Sequence, residues 1–282
     1  MIAYWVEQGL VLADQFREGN VPAGMGNAEF VEYALGMLPE GVVKVYMRAD
    51  SALYDHKTLR LCDRRGVEFA VSADMTGQLR QEIGKLPASA WKPLKNRNGT
   101  AGEMGRMWAE VPYVPDDPVA KKGERPFRYL AIRLPLKRVQ HDLFEPKPEH
   151  EYVAIVTNRE GPGDELIHWH REKCGTVEHA HDRIKNDVGG RLFPSRRFGA
   201  NAAWYRLAII ALNLQRAMQV VGLPEQWREH RPQTLRYRLW NRGGRVVRHA
   251  RRLVVLVSQM AASLLPVYVG VRVAMAAVHL LC

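Results

Sequence analysis

The chain has 282 residues, 46% of them hydrophobic and 25% charged, with a formal net charge of +11. That balance belongs to a globular chain and excludes a disordered or collagen-like one, and the length allows one large domain or two small ones. Cys62, Cys174 and Cys282 stand far apart with no C-x-x-C pair, which excludes a disulfide scaffold and a cysteine-rich zinc module and suits a reducing compartment.

In chain order, the apolar runs Ile2 to Val6 and Leu10 to Phe16 flank Gln8-Gly9 and predict a β-hairpin. After a turn-rich loop, Asn27 is expected to cap a helix from Ala28 to Leu38, stopped by Pro39-Glu40-Gly41. The β-branched run Val42 to Met47 predicts a buried strand, with Asp50-Ser51 at its C-terminal end. A helix from His56 to Arg65, closed by Gly66, precedes a strand from Val67 to Ser72. This order predicts an α/β sheet with crossover helices. A short helix, Gln78 to Leu86, leads into a stretch dense in Gly, Pro and Asn from Trp91 to Pro118. Phe127 to Leu136 reads as a strand, Pro146-Lys147-Pro148 as a linker and Tyr152 to Thr157 as a buried strand. Asp164 opens a long helical stretch that contains Glu178 and ends at Gly189-Gly190. A second helix, Asn201 to Val221, stops at Gly222-Leu223-Pro224.

The charge is unevenly placed. Residues 1–182 carry 24 basic and 27 acidic side chains, whereas residues 183–252 carry 16 basic and 3 acidic, and 15 of those 16 are Arg. A block of Arg forks reads as a surface for a polyanion, DNA or RNA first. No basic n-region or cleavage site precedes Glu7, so no export signal is expected. Leu264 to Cys282 is almost wholly apolar and near the length of a membrane helix. Pro266, Arg272 and His279 interrupt it, which favours a packed C-terminal segment over a span.

Two carboxylates stand where chemistry could use them. Asp50 follows a strand, at the mouth where open α/β sheets bind ligands; the same position suits a turn cap. Glu178 lies in a helix with Lys185 two turns on, and Arg171, Cys174 and Asp182 share that face by spacing. Such a face can hold a divalent metal and meet a phosphate, or form an ordinary solvated charge lattice. His168-x-His170 and His179-x-His181 are poor chelating pairs, because i and i+2 lie about 200° apart on a helix. A zinc site would need a bend between them. No P-loop and no G-x-S-x-G elbow is present. Trp204 and Tyr205 read as packing residues before base-stacking ones.

Three blocks, RADSALYDHKTLRLCDRRGVEFAVSADM (48–75), WHREKCGTVEHAHDRIKNDVGG (169–190) and RRFGANAAWYRLAIIALNLQRAM (196–218), together with the opening MIAYWVEQGLVLADQFREGNVPAGMGN, resemble a bacterial insertion-sequence transposase of the DDE type. The resemblance covers residues 1–252. It implies an RNase H-like catalytic core: a mixed sheet flanked by helices, with a mainly β segment inserted before the final catalytic helix. The parts expected are residues 1–86 as the first part of the core, 87–150 as the insert, 151–222 as the last core strand and the catalytic and C-terminal helices, and 223–282 as a basic segment with an apolar tail.

The family holds two divalent metals, Mg²⁺ or Mn²⁺, on Asp, Asp and Glu, cuts DNA at the element ends and joins the 3′-hydroxyl to a target. Asp50 matches the second Asp, Glu178 the Glu, and Lys185 the Lys seven residues after it. The family's Arg four before the Glu and Tyr seven before it are here Cys174 and Arg171, with Lys173 adjacent. DNA contacts are expected from Arg171, Lys173, Arg183, Arg196, Arg197, Arg245, Arg248, Arg251 and Arg252. The first Asp belongs on a strand before Ile2 to Val6, and Asp14 is not expected to substitute for it. The chain therefore reads as an N-terminally truncated transposase, inactive as it stands. The alternative is a DNA-binding remnant without catalysis. Partners implied are element-end and target DNA and a second copy in a homodimer, in the cytoplasm at the nucleoid, with no small-molecule cofactor.

Overall fold

The computed structural model describes residues 1–22, 24–96, 105–135 and 150–278. In chain order these form β1 (Ile2–Trp5), β2 (Leu10–Asp14), α1 (Asn27–Gly36), β3 (Tyr46–Ala49), α2 (His56–Arg64), β4 (Glu68–Ala73), α3 (Gly77–Gly84), β5 (Lys92–Pro93), β6 (Met107–Val111), β7 (Arg128–Pro135) and β8 (His150–Thr157). There follow α4 (Gly163–Arg171), α5 (Val177–Asp182), α6 (Phe198–Gly222), α7 (Glu225–Arg228), α8 (Pro232–Leu235), β9 (Gly244–His249), β10 (Arg252–Val257) and α9 (Leu265–Val278). Residues 97–104 of the Gly-, Pro- and Asn-dense stretch, the Pro146-Lys147-Pro148 linker and residues 279–282 of the apolar tail lie outside the described residues. The chain divides into two compact units, Gly19–Gly175 and Met1–Glu18 with Thr176–Cys282.

The Gly19–Gly175 unit is built on a six-stranded mixed sheet of order β3-β4-β8-β7-β6-β5, in which β3 and β4 are parallel and the other neighbours antiparallel. Its central strands are buried on both faces. Tyr129, Ala131, Ala154 and Val156 face α2 and α3 through Leu59, Cys62, Leu79 and Ile83. Leu130, Ile132 and Ile155 face α4 through Leu166 and Ile167. Two-sided burial is why YVAIVT reads as a continuous apolar run rather than an alternating one. β5, β6 and β7, from the stretch expected as an insert, extend this same sheet. The architecture is the α/β, RNase H-like mixed sheet flanked by helices that the sequence implied.

Local readings differ at three places. Asn27 is not the cap of α1: Gly26, at φ 71°, holds that position, and the buried Asn27 side chain donates to the Ala52 carbonyl at 2.6 Å. The run Val42 to Met47 is not a buried strand. Pairing with β4 begins only at Tyr46, opposite Glu68, and Val43 is 98% exposed. The long helix expected from Asp164 is two helices, α4 and α5, separated by residues 172–176 with Gly175 at φ 84°.

In the other unit β1 and β2 form the expected antiparallel hairpin. α6 lies against β2, and Asn213 completes its backbone: its Oδ1 accepts from Val11 N at 2.9 Å and its Nδ2 donates to Val11 O at 2.8 Å. Val11, Ile184, Ile209 and Leu212 form the core beneath. Phe16 sits among Phe193, Phe198 and Tyr205 at ring distances of 5.3–5.6 Å, so Tyr205 packs as expected. Trp204 is 40% exposed, with its indole N–H donating to the Gly189 carbonyl. The C-terminal apolar segment is α9, packed through Val267 and Val271 on Leu223, Leu235 and Leu239. No described helix is long and apolar enough to cross a membrane.

Gly163 opens α4 directly against the buried Trp108 ring, and a Cβ there would lie 2.2 Å from Trp108 Cζ3. Gly163→Ala should therefore destabilise the chain by about 1–3 kcal/mol through overpacking. Gly199→Ala on α6, with nothing within 4 Å of its Cβ position, is the control and should be neutral or slightly stabilising. Urea unfolding of both variants checks this; equal midpoints would contradict the packing account.

Candidate active site

Asp50 is the first residue past β3. It is exposed, and its Oδ1 accepts from Ala52 N at 3.1 Å, capping the short 3₁₀ turn Ser51–Leu53. Asp50 therefore both caps a turn and stands at the strand end. The residues before it are fixed to α4. Arg48 donates to the Trp169 carbonyl at 3.0 Å and to Glu172 at 2.6 Å, with its guanidinium over the Trp169 ring. The His170 Nε2 lies 3.1 Å from the Ala49 carbonyl and 3.3 Å from Ser72 Oγ. Burial pushes the His170 imidazole down to about 4. It is neutral at pH 7, and the Ala49 contact requires the proton on Nε2.

Glu178 lies in α5, in the other unit. With His181, Asp182 and Lys185 it lines an open groove of about 430 Å³. Positions i, i+3, i+4 and i+7 meet on one helix face, and the structure keeps them together although α5 passes into a π turn, Arg183–Asp187. Inserted π turns of this kind are frequent at functional sites. The turn is anchored by the buried Asp187 carboxylate, which accepts from Arg231 at 2.9 and 3.1 Å, while Arg236 donates to the Asp187 carbonyl. Arg231 also reaches Asp182 at 2.6 Å. The Asn186 amide and then the Arg231 charge hold the Asp182 carboxyl below its ordinary value.

The break at residues 172–176 removes Arg171 and Cys174 from the Glu178 face, because the two helices no longer share one register. Arg171 and Lys173 belong to the Gly19–Gly175 unit. The break is the bend a zinc site would need, but His168 and His170 both engage backbone carbonyls, of Lys95 and Ala49. Among the described residues no group of three or more His, Cys, Asp or Glu could hold a metal ion. Asp14 is taken by a two-pronged contact from Arg206 at 3.1–3.2 Å. The sequence analysis weighed His181 only as a chelating pair with His179, although its i+3 spacing from Glu178 is the signal that places it on that face. Arg231 carries no such signal, since it reaches the turn from far along the chain.

The chain matches the model of the transposase DDE domain group 1 over residues 1–267. It belongs to the DDE transposases. No curated protein matches it. The match carries the transposase domain beyond residue 252, through β10 and into α9. Membership brings DNA as the partner of the family, phosphoryl transfer as its chemistry, and a general use of divalent metals.

The donors of this transposase suit such an ion in kind. Asp50 Oδ2 makes no hydrogen bond among the described residues, and Glu178 is exposed in its groove. Carboxylate oxygens are the hard ligands that Mg²⁺ and Mn²⁺ prefer.

Because His170 titrates low in the fold, acid favours the unfolded transposase, in which the ring protonates near about 6.5. This contribution to stability is complete above about pH 6.5 and is lost as the pH falls toward the folded value. The loss should approach about 2 kcal/mol near pH 5. Urea unfolding at both pH values checks this. His170→Gln, which keeps a donor for Ala49, should flatten the difference; an unchanged difference would show that other groups cause it.

Proposed function

We propose that this chain is the transposase of an insertion sequence, performing metal-dependent DNA cleavage and strand transfer. The observation that carries the reading is the open groove in which Glu178 and Lys185 meet, within a chain that matches the family almost throughout. By their match to the carboxylates of the family, Asp50 and Glu178 would each serve as a ligand to a divalent ion. When bound, that ion supplies Lewis-acid stabilisation of the charge that develops on phosphate oxygens. The ammonium of Lys185, two turns from Glu178 along the same groove, pairs with a phosphate oxygen and keeps the backbone in register. Asp182 is held ionised beside them by Asn186 and Arg231.

The exposed Arg196, Arg197, Arg245, Arg248, Arg251 and Arg252 bind the DNA backbone, which sets affinity and salt dependence rather than sequence. The four segments expected from the sequence serve as core, β-rich segment, catalytic helices and basic tail. The chain works as a homodimer at the nucleoid. A second reading, DNA binding without cleavage, is favoured by the finding that no group of three or more His, Cys, Asp or Glu among the described residues could hold a metal ion.

Cleavage of a supercoiled plasmid carrying the DNA that flanks the coding frame, assayed with Mg²⁺ and Mn²⁺, separates the two. Under the first reading Asp50→Ala or Glu178→Gln lowers nicking by on the order of 100-fold or more. Nicking that survives Asp50→Ala refutes the assignment, and binding with no nicking selects the second reading.

The backbone contacts have their own test. The logarithm of the binding constant should fall linearly with the logarithm of salt. Arg196→Ala with Arg197→Ala should reduce that slope by about 2. An unchanged slope removes these two residues from the interface.

A further inference from the structure

β9 and β10 form a two-stranded antiparallel sheet of their own, in register from Arg252 opposite His249 to Val257 opposite Gly244. Isolated two-stranded ribbons are marginal in water and normally bury a face. This one leaves one face open and the other only partly covered, at Val247 and Val254. Arg245, Val247 and His249 alternate onto one face with Arg252, Val254 and Leu256; Val246 and Arg248 share the other with Leu253 and Val255. Val246, Leu253 and Val255 are 65%, 75% and 63% exposed. The stretch 242–257 carries five arginines and no acidic residue. Among the described residues Arg245, Arg248, Arg251 and Arg252 form no ion pair.

The tip is built against local preference. Ala250 and Arg251 have φ values of 47° and 62°. A two-residue hairpin turn with both central residues at positive φ favours Asn-Gly. A sequence that needed only a tight turn would not place two side chains there. Strain of this kind points to a use for the side chain it retains, here a guanidinium at the end of the ribbon.

We propose that the β9–β10 ribbon is an arm that lies in the major groove of duplex DNA, with Arg251 at its leading end. The proposal rests on DNA being the partner, as read above. A two-stranded ribbon is one of the two protein elements the major groove of undeformed duplex DNA admits, whereas the minor groove, about 6 Å wide, takes a ribbon only where the DNA is bent and the groove widened. The ribbon's charge complements the phosphates on either side. Its Arg forks match the acceptor pair on guanine, and its exposed valines and leucines suit thymine methyl groups.

The test is binding of the full chain to a short mixed-sequence duplex, and to the same duplex with glucosylated hydroxymethylcytosine, whose sugars fill the major groove. The parent chain should bind the plain duplex at least about tenfold more tightly. Arg248→Gln combined with Ala250→Asn and Arg251→Gly, which improves the turn while removing charge, should abolish that preference with no loss of melting temperature. Equal binding of both duplexes by the parent, or a preference that survives the triple substitution, overturns the proposal. If Leu253→Asp with Val255→Asp converts a dimer to a monomer at unchanged duplex affinity, the ribbon is a surface between copies and the proposal fails. No binding of the plain duplex even at low salt would instead refute DNA as the partner.

Discussion

A buried carboxylate holds the groove that carries the proposed chemistry. Asp187 is 2% exposed, and a polar group buried so deeply needs hydrogen-bonding partners. Arg231 meets both of its oxygens, and Arg236 meets its carbonyl. Only the carboxylate of this pair is buried, Arg231 being 46% exposed, so the cost of losing Arg231 is that of a buried Asp187 left uncompensated. The pair pins the π turn 183–187, and the turn sets where Lys185 stands relative to Glu178. Gly190 closes the same turn: a Cβ there would come within 2.6 Å of Ile184 Cγ2. Groove geometry thus depends on the Asp187–Arg231 anchor as well as on the residues that line it, of which Asp182 is itself held by Arg231.

Asp50 is positioned by a different principle. A carboxylate at a strand end is only as fixed as the strand, and β3 is short and sits at the edge of its sheet. Two contacts from α4 supply what the missing ladder does not: the Arg48 clamp to Trp169 and Glu172, and the neutral His170 at the Ala49 carbonyl. Both arise from the helix that packs Leu166 and Ile167 against the far face of the sheet. Burial of that apolar face orients α4, and α4 in turn fixes the two residues before Asp50.

Legibility in the sequence followed the range of the interactions. Hairpin β1–β2, helix α6 and strands β7 and β8 were readable because periodicity and turn residues are local signals. Val42-Val43 misled because β-branched apolar residues make a strand only where a neighbour accepts the ladder, and pairing with β4 starts at Tyr46. The expected helix from Asp164 overran because no proline marks the break; a single Gly175 at positive φ and a change of compact unit do it. In the candidate site, the i to i+7 spacing of Glu178 and Lys185 was visible. The Asp187–Arg231 anchor was not, since 44 residues separate its members.

The arginine-rich stretch also divides once contacts are known. Arg206 forks onto Asp14, Arg216 reaches the Gln8 and Arg228 carbonyls, Arg228 the Leu223 carbonyl, and Arg231 and Arg236 hold Asp187. These cations are tied to carboxylates and backbone carbonyls of the fold. That explains the preference for Arg over Lys: a planar fork can satisfy several acceptors at once, while an ammonium acts as a point charge. The cations left for a polyanion are fewer, and among the described residues they include Lys185, Arg191, Arg196, Arg197 and Arg238 besides the arginines of the β9–β10 ribbon. Summed charge over the stretch therefore overstates the DNA-facing charge. What distinguishes the ribbon is that, among the described residues, its arginines form no ion pair while Val246, Leu253 and Val255 beside them are exposed, so both kinds of surface are left for a partner that offers phosphates and methyl groups together.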